Sequence, residues 1–145
     1  MRRKVLFSLL ILVLILIWGQ SFLPTDISRR ESGSLFALLS PVLDLLFGPE
    51  SVSHHLLRKI AHFTEFFLLG CLMAGLAPHT AKAQSIAGGL CLLAALIDET
   101  IQIFSDRGDQ IQDVWLDFAG AAAGVLLINL LCRLLRHRKE KKPGR

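Results

Sequence analysis

The sequence predicts an all-α integral membrane protein, a bundle of four membrane-spanning helices that form a single domain over residues 1–145. Hydrophobic residues make up 52% of the chain and are gathered into long runs, instead of following the period of a soluble amphipathic helix. Four runs are long enough to cross the hydrocarbon core of a bilayer. A chain of this length offers no soluble core that could bury such runs, so lipid is the expected surrounding.

The spans are predicted at residues 5–23, 56–76, 84–104 and 114–131, and a basic tail follows over residues 133–145. The first span begins like a secretory signal, with a charged start and an apolar stretch. No small-residue cleavage site follows, however, and the apolar run continues through Trp18 and Phe22 to Pro24. We therefore expect an uncleaved anchor.

The segment over residues 33–48 is apolar but too short to cross the membrane, and Pro41 interrupts it. It is expected to lie in the membrane interface or to re-enter the bilayer between the first two spans. A helical loop packed on the bundle is an equally good interpretation.

The distribution of charge predicts the orientation. Four spans put both termini on one side, and that side together with the short loop around Lys82 would hold eleven of the 16 Lys and Arg residues. Cytoplasmic segments carry this excess, so both termini are expected inside. Trp18 and Trp115 then fall at the outer interface. The basic tail is typical of a topology signal that contacts anionic headgroups, and nucleic acid is not an expected partner.

Polar and ionisable residues interrupt the last three spans at the end of each span that is predicted to lie outside. On the second span, Arg58, His62 and Glu65 share one helix face, with Lys59 beside them. The other candidates are Asp98, Glu99 and Gln102 on the third span, Arg107 in the loop, and Asp113 and Asp117 on the fourth. Ionisable residues are costly in a membrane and usually face a bundle interior or a cavity. They predict a polar pocket that is open to the outer side.

Other interpretations of these residues stay open. Interhelical salt bridges and hydrogen bonds could hold a small bundle together without any ligand. Gly120 and Gly124 form a GxxxG pattern, which is typical of close helix packing. No HExxH or comparable spacing accompanies the carboxylates, so neither a metal nor another cofactor is expected. The cysteines Cys71, Cys91 and Cys132 show no metal-ligand spacing and are predicted to be buried thiols, with palmitoylation of Cys132 a weaker interpretation.

Three motifs in order, RKIAHFTEFFLLG (58–70), LIDETIQIF (96–104) and RGDQIQDVWLDFAGAAAG (107–124), resemble the VanZ-like family of bacterial membrane proteins. The resemblance covers about half of the chain. It implies that the pocket residues above, from Lys59 to Asp117, match the polar pattern of the family, together with Gly120 and Gly124. Three departures are Phe66 in place of a common tyrosine, Asp106 before Arg107, and Asp117 where many members have asparagine.

The family takes its name from a protein linked to low-level resistance to the glycopeptide teicoplanin, so the resemblance implies a cell-envelope role in the inner membrane of a bacterium. The first hypothesis is a pocket that binds an amphiphile, either a lipid-linked envelope ligand or a lipoglycopeptide, with Arg58, Lys59 and Arg107 available to a phosphate. The second is an enzyme that acts on an envelope lipid, and the third is a small proton-coupled transporter. Membrane lipids are expected partners in each case, and the sequence is compatible with a homo-oligomer.

Overall fold

The computed structural model describes residues 2–22, 53–104 and 111–140. Within these ranges the chain forms four helices, which we label α1 (Arg2–Ser21), α2 (His54–Leu76), α3 (Ala81–Phe104) and α4 (Ile111–Glu140). Each of them is long and apolar enough to cross a membrane. The predicted four-helix membrane bundle is confirmed. The segment over residues 33–48 and Arg107 lie outside the described residues.

Local signals account for the helix ends. Ser53 caps α2, since its Oγ accepts a hydrogen bond from the Leu56 amide at 3.1 Å. At the other end of α2 the Ala77 amide still donates to Met73, and Pro78 then prevents the helix from continuing. Thr80 starts α3 in the same way, with Oγ1 accepting from the Ala83 amide at 3.3 Å. A short turn therefore makes α2 and α3 antiparallel neighbours.

The helix α4 is longer than its predicted span. It continues to Glu140, so the stretch assigned to a basic tail from residue 133 begins as helix. Arginine and lysine are good helix formers, and their charges favour the C-terminal end of a helix. Their long stems can also follow the apolar surface towards water, which allows the last turns to stay helical where the span leaves the lipid.

The helix α2 lies at the centre of the bundle. It packs against the three other helices and most extensively against α4, which runs parallel to it. The core between the helices contains Leu10, Ile17, Phe66, Leu69 and Cys91, closed by small residues on α3 and α4. Leucine and isoleucine side chains cover the outside of the bundle, for example Ile15, Leu93 and Leu126. This outward apolar surface suits lipid.

Glycines allow α2 and α4 to approach closely. A Cβ atom added at Gly120 would overlap the carbonyl of Phe63, and one added at Gly124 would overlap that of Phe67. Gly70 makes the reciprocal approach from α2 to the backbone of Ala121. The two backbones are therefore in contact along this face, as in other small-residue interfaces of membrane helices. This contact sets the distance between the polar side chains that lie further towards the start of each helix.

Candidate functional site: a polar cluster at one end of the bundle

Polar side chains from all four helices meet at one end of the bundle, where α1 and α3 end and α2 and α4 begin. We call this group the polar cluster. It contains Gln20, Ser21, Arg58, Lys59, His62, Glu65, Asp98, Glu99, Gln102, Asp113 and Asp117. Every candidate residue predicted on the three later spans is among them.

Asp98 is the buried centre of the cluster. Its side chain is 0% exposed, and both carboxylate oxygens accept hydrogen bonds. Ser21 on α1 donates its hydroxyl to Oδ1 at 2.6 Å, and Gln102 on α3 donates Nε2 to Oδ2 at 2.7 Å. Arg58 on α2 then donates Nη2 to Oε1 of Gln102 at 3.2 Å. A continuous chain of hydrogen bonds thus joins three helices through one carboxylate.

Two further pairs form the more exposed part of the cluster, which we call the rim. Lys59 on α2 forms an ion pair with Asp113 on α4, with Nζ 3.2 Å from Oδ1 and side chains that are 28% and 31% exposed. Gln20 on α1 donates Nε2 to Oε1 of Glu65 on α2 at 3.0 Å. Because these four side chains remain partly accessible, the rim can exchange its internal contacts for contacts with a ligand.

His62, Asp98 and Asp117 come from three different helices and converge below the rim. Each offers one potential ligand atom, and these atoms all lie within 4.8 Å of one another. Asp117 is 2% exposed, and its Oδ1 has no hydrogen-bond partner among the residues that the structure describes. Such a buried acceptor is uncommon, since burial without a partner costs free energy.

The described part of the cluster carries more acidic than basic side chains. Its five carboxylates are Glu65, Asp98, Glu99, Asp113 and Asp117, and its two permanently basic side chains are Arg58 and Lys59. The carboxylates of Asp98, Glu99 and Asp117 are buried. Buried charge of one sign requires compensation by a proton, a cation or a ligand.

The helix α1 contributes two residues that sequence reasoning missed. Gln20 and Ser21 stand at the end of an apolar run, where polar residues ordinarily mark the exit from the membrane. Their position alone does not distinguish an exit from an interhelical contact. One signal is available, since alternate spans of a membrane bundle run in the same direction, which would place the end of α1 near the acidic end of α3.

The two tryptophans differ in their surroundings. Trp115 is 64% exposed at the cluster end of α4, where a tryptophan of the membrane interface is expected. Trp18 is partly buried and donates Nε1 to the carbonyl of Ala94 at 3.4 Å, so it also connects α1 to α3.

At the opposite end of the bundle the polar contacts use neutral amides. Asn129 on α4 donates Nδ2 to Oε1 of Gln84 on α3 at 3.0 Å, and Gln84 donates to the carbonyls of Ala74 and Pro78 at 3.2 Å. These bonds hold the ends of α2, α3 and α4 together. They contain no ionised group and are well suited to stabilising the bundle.

The three cysteines are free thiols, but only Cys91 is fully buried. Cys71 is half-buried and contacts the carbonyl of Gly124 with its Sγ at 3.6 Å. Cys132 is also half-buried and lies 3.5 Å from Nε2 of His79, near the opposite end from the polar cluster. The prediction of buried thiols is therefore right for Cys91 and too strong for the other two, because neighbouring helices cover only part of Cys71 on α2 and of Cys132 on α4.

Comparison with known families gives a clear assignment. The model of the VanZ/LLP1 family matches residues 5–133, which include most of α1 and most of α4. The chain belongs to the VanZ/LLP1 family. The resemblance inferred from three motifs is thus confirmed, and the match extends beyond them to the first helix. No curated protein and no solved structure matches the chain.

Family membership and the four apolar helices together make this VanZ/LLP1 chain a multi-pass membrane protein. All of the described polar cluster lies within the matched residues. The cluster is therefore built by the part of the chain that defines the family match, and it is the natural place to look for function.

Proposed function

We propose that this VanZ/LLP1 protein binds the polar head of an amphiphile of the bacterial cell envelope in its polar cluster, at the outer side of the inner membrane. The observation that best supports this proposal is that the cluster has two parts, a partly accessible rim and buried carboxylates below it. Apolar helix surfaces surround the rim. An amphiphile could keep its hydrocarbon in the lipid while its head contacts the rim.

The charges of the cluster favour a head group that is rich in hydrogen-bond donors. Both basic side chains already have partners in the bundle, Arg58 with Gln102 and Lys59 with Asp113. Carboxylate oxygens are in excess, and ionised carboxylates act only as acceptors. Hydroxyl and ammonium groups would complement them better than a phosphate would. A lipoglycopeptide or a glycosylated lipid-linked ligand has such groups.

Binding can be tested with teicoplanin as the probe and its deacylated form as the comparison. The purified full-length protein is placed in lipid nanodiscs, and the dissociation constant of each compound is measured. We expect Glu65→Gln and Asp113→Asn each to weaken teicoplanin binding about tenfold, the cost of one or two lost charge-assisted contacts. The deacylated compound should bind more weakly than teicoplanin to the unmodified protein.

Thr64→Val is the matched control. Thr64 is next to Glu65, is exposed, and donates its hydroxyl only to its own helix, at Ile60. Its replacement should leave binding unchanged. Binding of teicoplanin that is equally strong in all four proteins would reject this proposal, as would equal binding of the deacylated compound.

A purely structural role of the cluster predicts a different outcome. If the hydrogen bonds and ion pairs only hold the helices together, each substitution should lower the abundance of the protein in the membrane. Any loss of glycopeptide tolerance should then be explained by the lower abundance alone. Under the binding proposal, Glu65→Gln and Asp113→Asn leave the abundance unchanged and remove the tolerance. Protein level and glycopeptide susceptibility are therefore measured in the same cultures.

An enzyme that acts on an envelope lipid is a second candidate, since His62 lies with Asp98 and Asp117 and could transfer a proton. It requires turnover: incubation with envelope lipids should release a product that His62→Ala abolishes. A transporter is less well supported. The described core beyond the cluster consists of apolar side chains such as Phe66, Leu69 and Ala95, which offer no path for a proton.

A further inference from the structure

The strongest unassigned feature of the molecule is the group formed by His62 on α2, Asp98 on α3 and Asp117 on α4. One imidazole nitrogen and two carboxylate oxygens lie within 4.8 Å of one another. We infer that these three side chains bind a divalent metal ion in the interior of the bundle. The inference concerns a site below the rim and does not depend on the proposed ligand.

The ligand chemistry matches that of known three-ligand metal sites. Histidine nitrogen and carboxylate oxygen bind Zn²⁺ at about 2.0–2.2 Å, so two ligand atoms of one tetrahedral ion lie about 3.3–3.6 Å apart. The ligand atoms lie within 4.8 Å of one another, so each has to move towards the ion by less than about 1 Å, which a change of side-chain rotation can supply. Three protein ligands also leave a coordination position open for water or another small ligand.

Asp117 gives an independent indication that something binds here. Its side chain is 2% exposed, and Oδ1 has no hydrogen-bond partner within the described parts of the chain. A buried carboxylate oxygen ordinarily accepts at least one hydrogen bond. In this position a cation would provide the missing interaction. The unpaired Oδ1 of Asp117 therefore indicates that a ligand binds here, which the mere grouping of acidic side chains would not indicate.

Asp98 is held as metal-binding carboxylates usually are. Ser21 donates to Oδ1 at 2.6 Å and Gln102 donates to Oδ2 at 2.7 Å, while Arg58 holds Gln102 at 3.2 Å. Hydrogen bonds of this kind orient a ligating carboxylate. An ionised carboxylate has about four lone-pair sites, so it can accept hydrogen bonds and bind a metal at the same time.

The charge of the site also favours a dication. An ion with two positive charges neutralises Asp98 and Asp117, both of which are buried. Arg58 and Lys59 are engaged at other places in the cluster, Arg58 with Gln102 and Lys59 with Asp113. A metal was not expected from the sequence because these ligands come from three helices, whereas a recognisable metal motif has its ligands on one helix or loop.

The test uses Zn²⁺ alone as the probe. Full-length protein in detergent is freed of metal with a chelator, and its zinc content and affinity are measured by mass spectrometry and by competition with a chromophoric chelator. We expect one ion per chain. Asp117→Asn and His62→Gln should each weaken binding by about 100-fold, and Ser21→Ala, which removes only a supporting hydrogen bond, by about tenfold.

The double variant His79→Gln, Cys132→Ser is the control for adventitious zinc. These two side chains form a histidine-containing pair, with Sγ 3.5 Å from Nε2, at the opposite end of the bundle. Its zinc affinity should equal that of the unmodified protein. Loss of zinc in this control, or unchanged zinc binding in Asp117→Asn, would overturn the inference, and so would substoichiometric binding by the unmodified protein.

Cobalt distinguishes the two locations without any substitution, should a cluster variant fail to fold. Co²⁺ bound by nitrogen and oxygen ligands in a four-coordinate site gives strong visible bands and no thiolate charge-transfer bands. We expect this spectrum for the unmodified protein. Thiolate bands would place the ion at a cysteine, and the weak spectrum of hydrated cobalt would show that the three side chains form no four-coordinate site; either result would overturn the inference.

Discussion

Ser21 makes one of the short hydrogen bonds of the polar cluster, with its Oγ 2.6 Å from Oδ1 of Asp98. Both side chains are 0% exposed, so water cannot replace the hydroxyl when it is removed. Ser21→Ala should therefore lower the free energy of unfolding by about 1–2 kcal/mol, the range for a hydrogen bond to a charged group in a membrane bundle. Denaturation of the protein in detergent, followed by circular dichroism, measures the change.

Ser8→Ala is the matched control on the same helix. Ser8 is exposed, and its replacement should leave the unfolding free energy within about 0.5 kcal/mol of the original value. A Ser21→Ala protein as stable as the Ser8→Ala protein would mean that the hydroxyl contributes nothing to the bundle.

Residue positions on a helix were predictable, whereas contacts between helices were not. The spacing of Arg58, His62 and Glu65 correctly indicated a polar face on α2, since residues three and four apart are neighbours. The structure gives the three residues different neighbours, namely Gln102 on α3, the two aspartates on α3 and α4, and Gln20 on α1. Spacing defines a face but says nothing about which helix that face meets.

Among the helices, α2 and α4 form the most intimate pair. A Cβ atom at Gly124 would overlap the backbone carbonyl of Phe67, which cannot move without the helix. Gly124→Ala should therefore separate the two helices and destabilise the protein by about 1–3 kcal/mol, as overpacking of a tight interface does. The midpoint of thermal unfolding in detergent reports the effect.

Gly89→Ala separates this packing effect from the general effect of a glycine in a helix. Gly89 lies on α3, is exposed, and has nothing within 4 Å of the position of an added Cβ. Alanine there should be neutral or stabilise the helix by up to about 1 kcal/mol. If both substitutions shift the midpoint in the same direction, the close contact between α2 and α4 is not what Gly124 provides.

The helices themselves could be predicted because long apolar runs leave few alternatives, and Pro78 marked the end of α2. The predicted span of residues 114–131 ends where hydrophobicity is lost, whereas the helix α4 continues beyond it. Helix formation does not require hydrophobicity, and the arginines from Arg133 onwards continue the backbone hydrogen bonding to Glu140. Apolarity therefore indicates where a helix lies in lipid, and propensity decides where it ends.

The whole molecule has two chemically different ends. The cluster end is acidic, whereas the opposite end has a basic set of exposed side chains, of which the described members are Arg3, Lys4, Lys82, Arg133, Arg136 and Arg138. The positive-inside rule assigns the basic end to the cytoplasm. The polar cluster would then face outwards, as the proposed function requires.

Site-directed labelling tests this orientation. In a protein whose three cysteines are replaced by alanine, single cysteines are introduced by Gln112→Cys at the start of α4 and by Lys82→Cys at the start of α3, two exposed positions at opposite ends of the bundle. A membrane-impermeant maleimide added to intact spheroplasts should label the first variant and should label the second only after lysis. The reverse pattern would put the polar cluster on the cytoplasmic side. An amphiphile of the outer leaflet could then not reach it, whereas the metal site would be unaffected, because its ligands lie inside the bundle in either orientation.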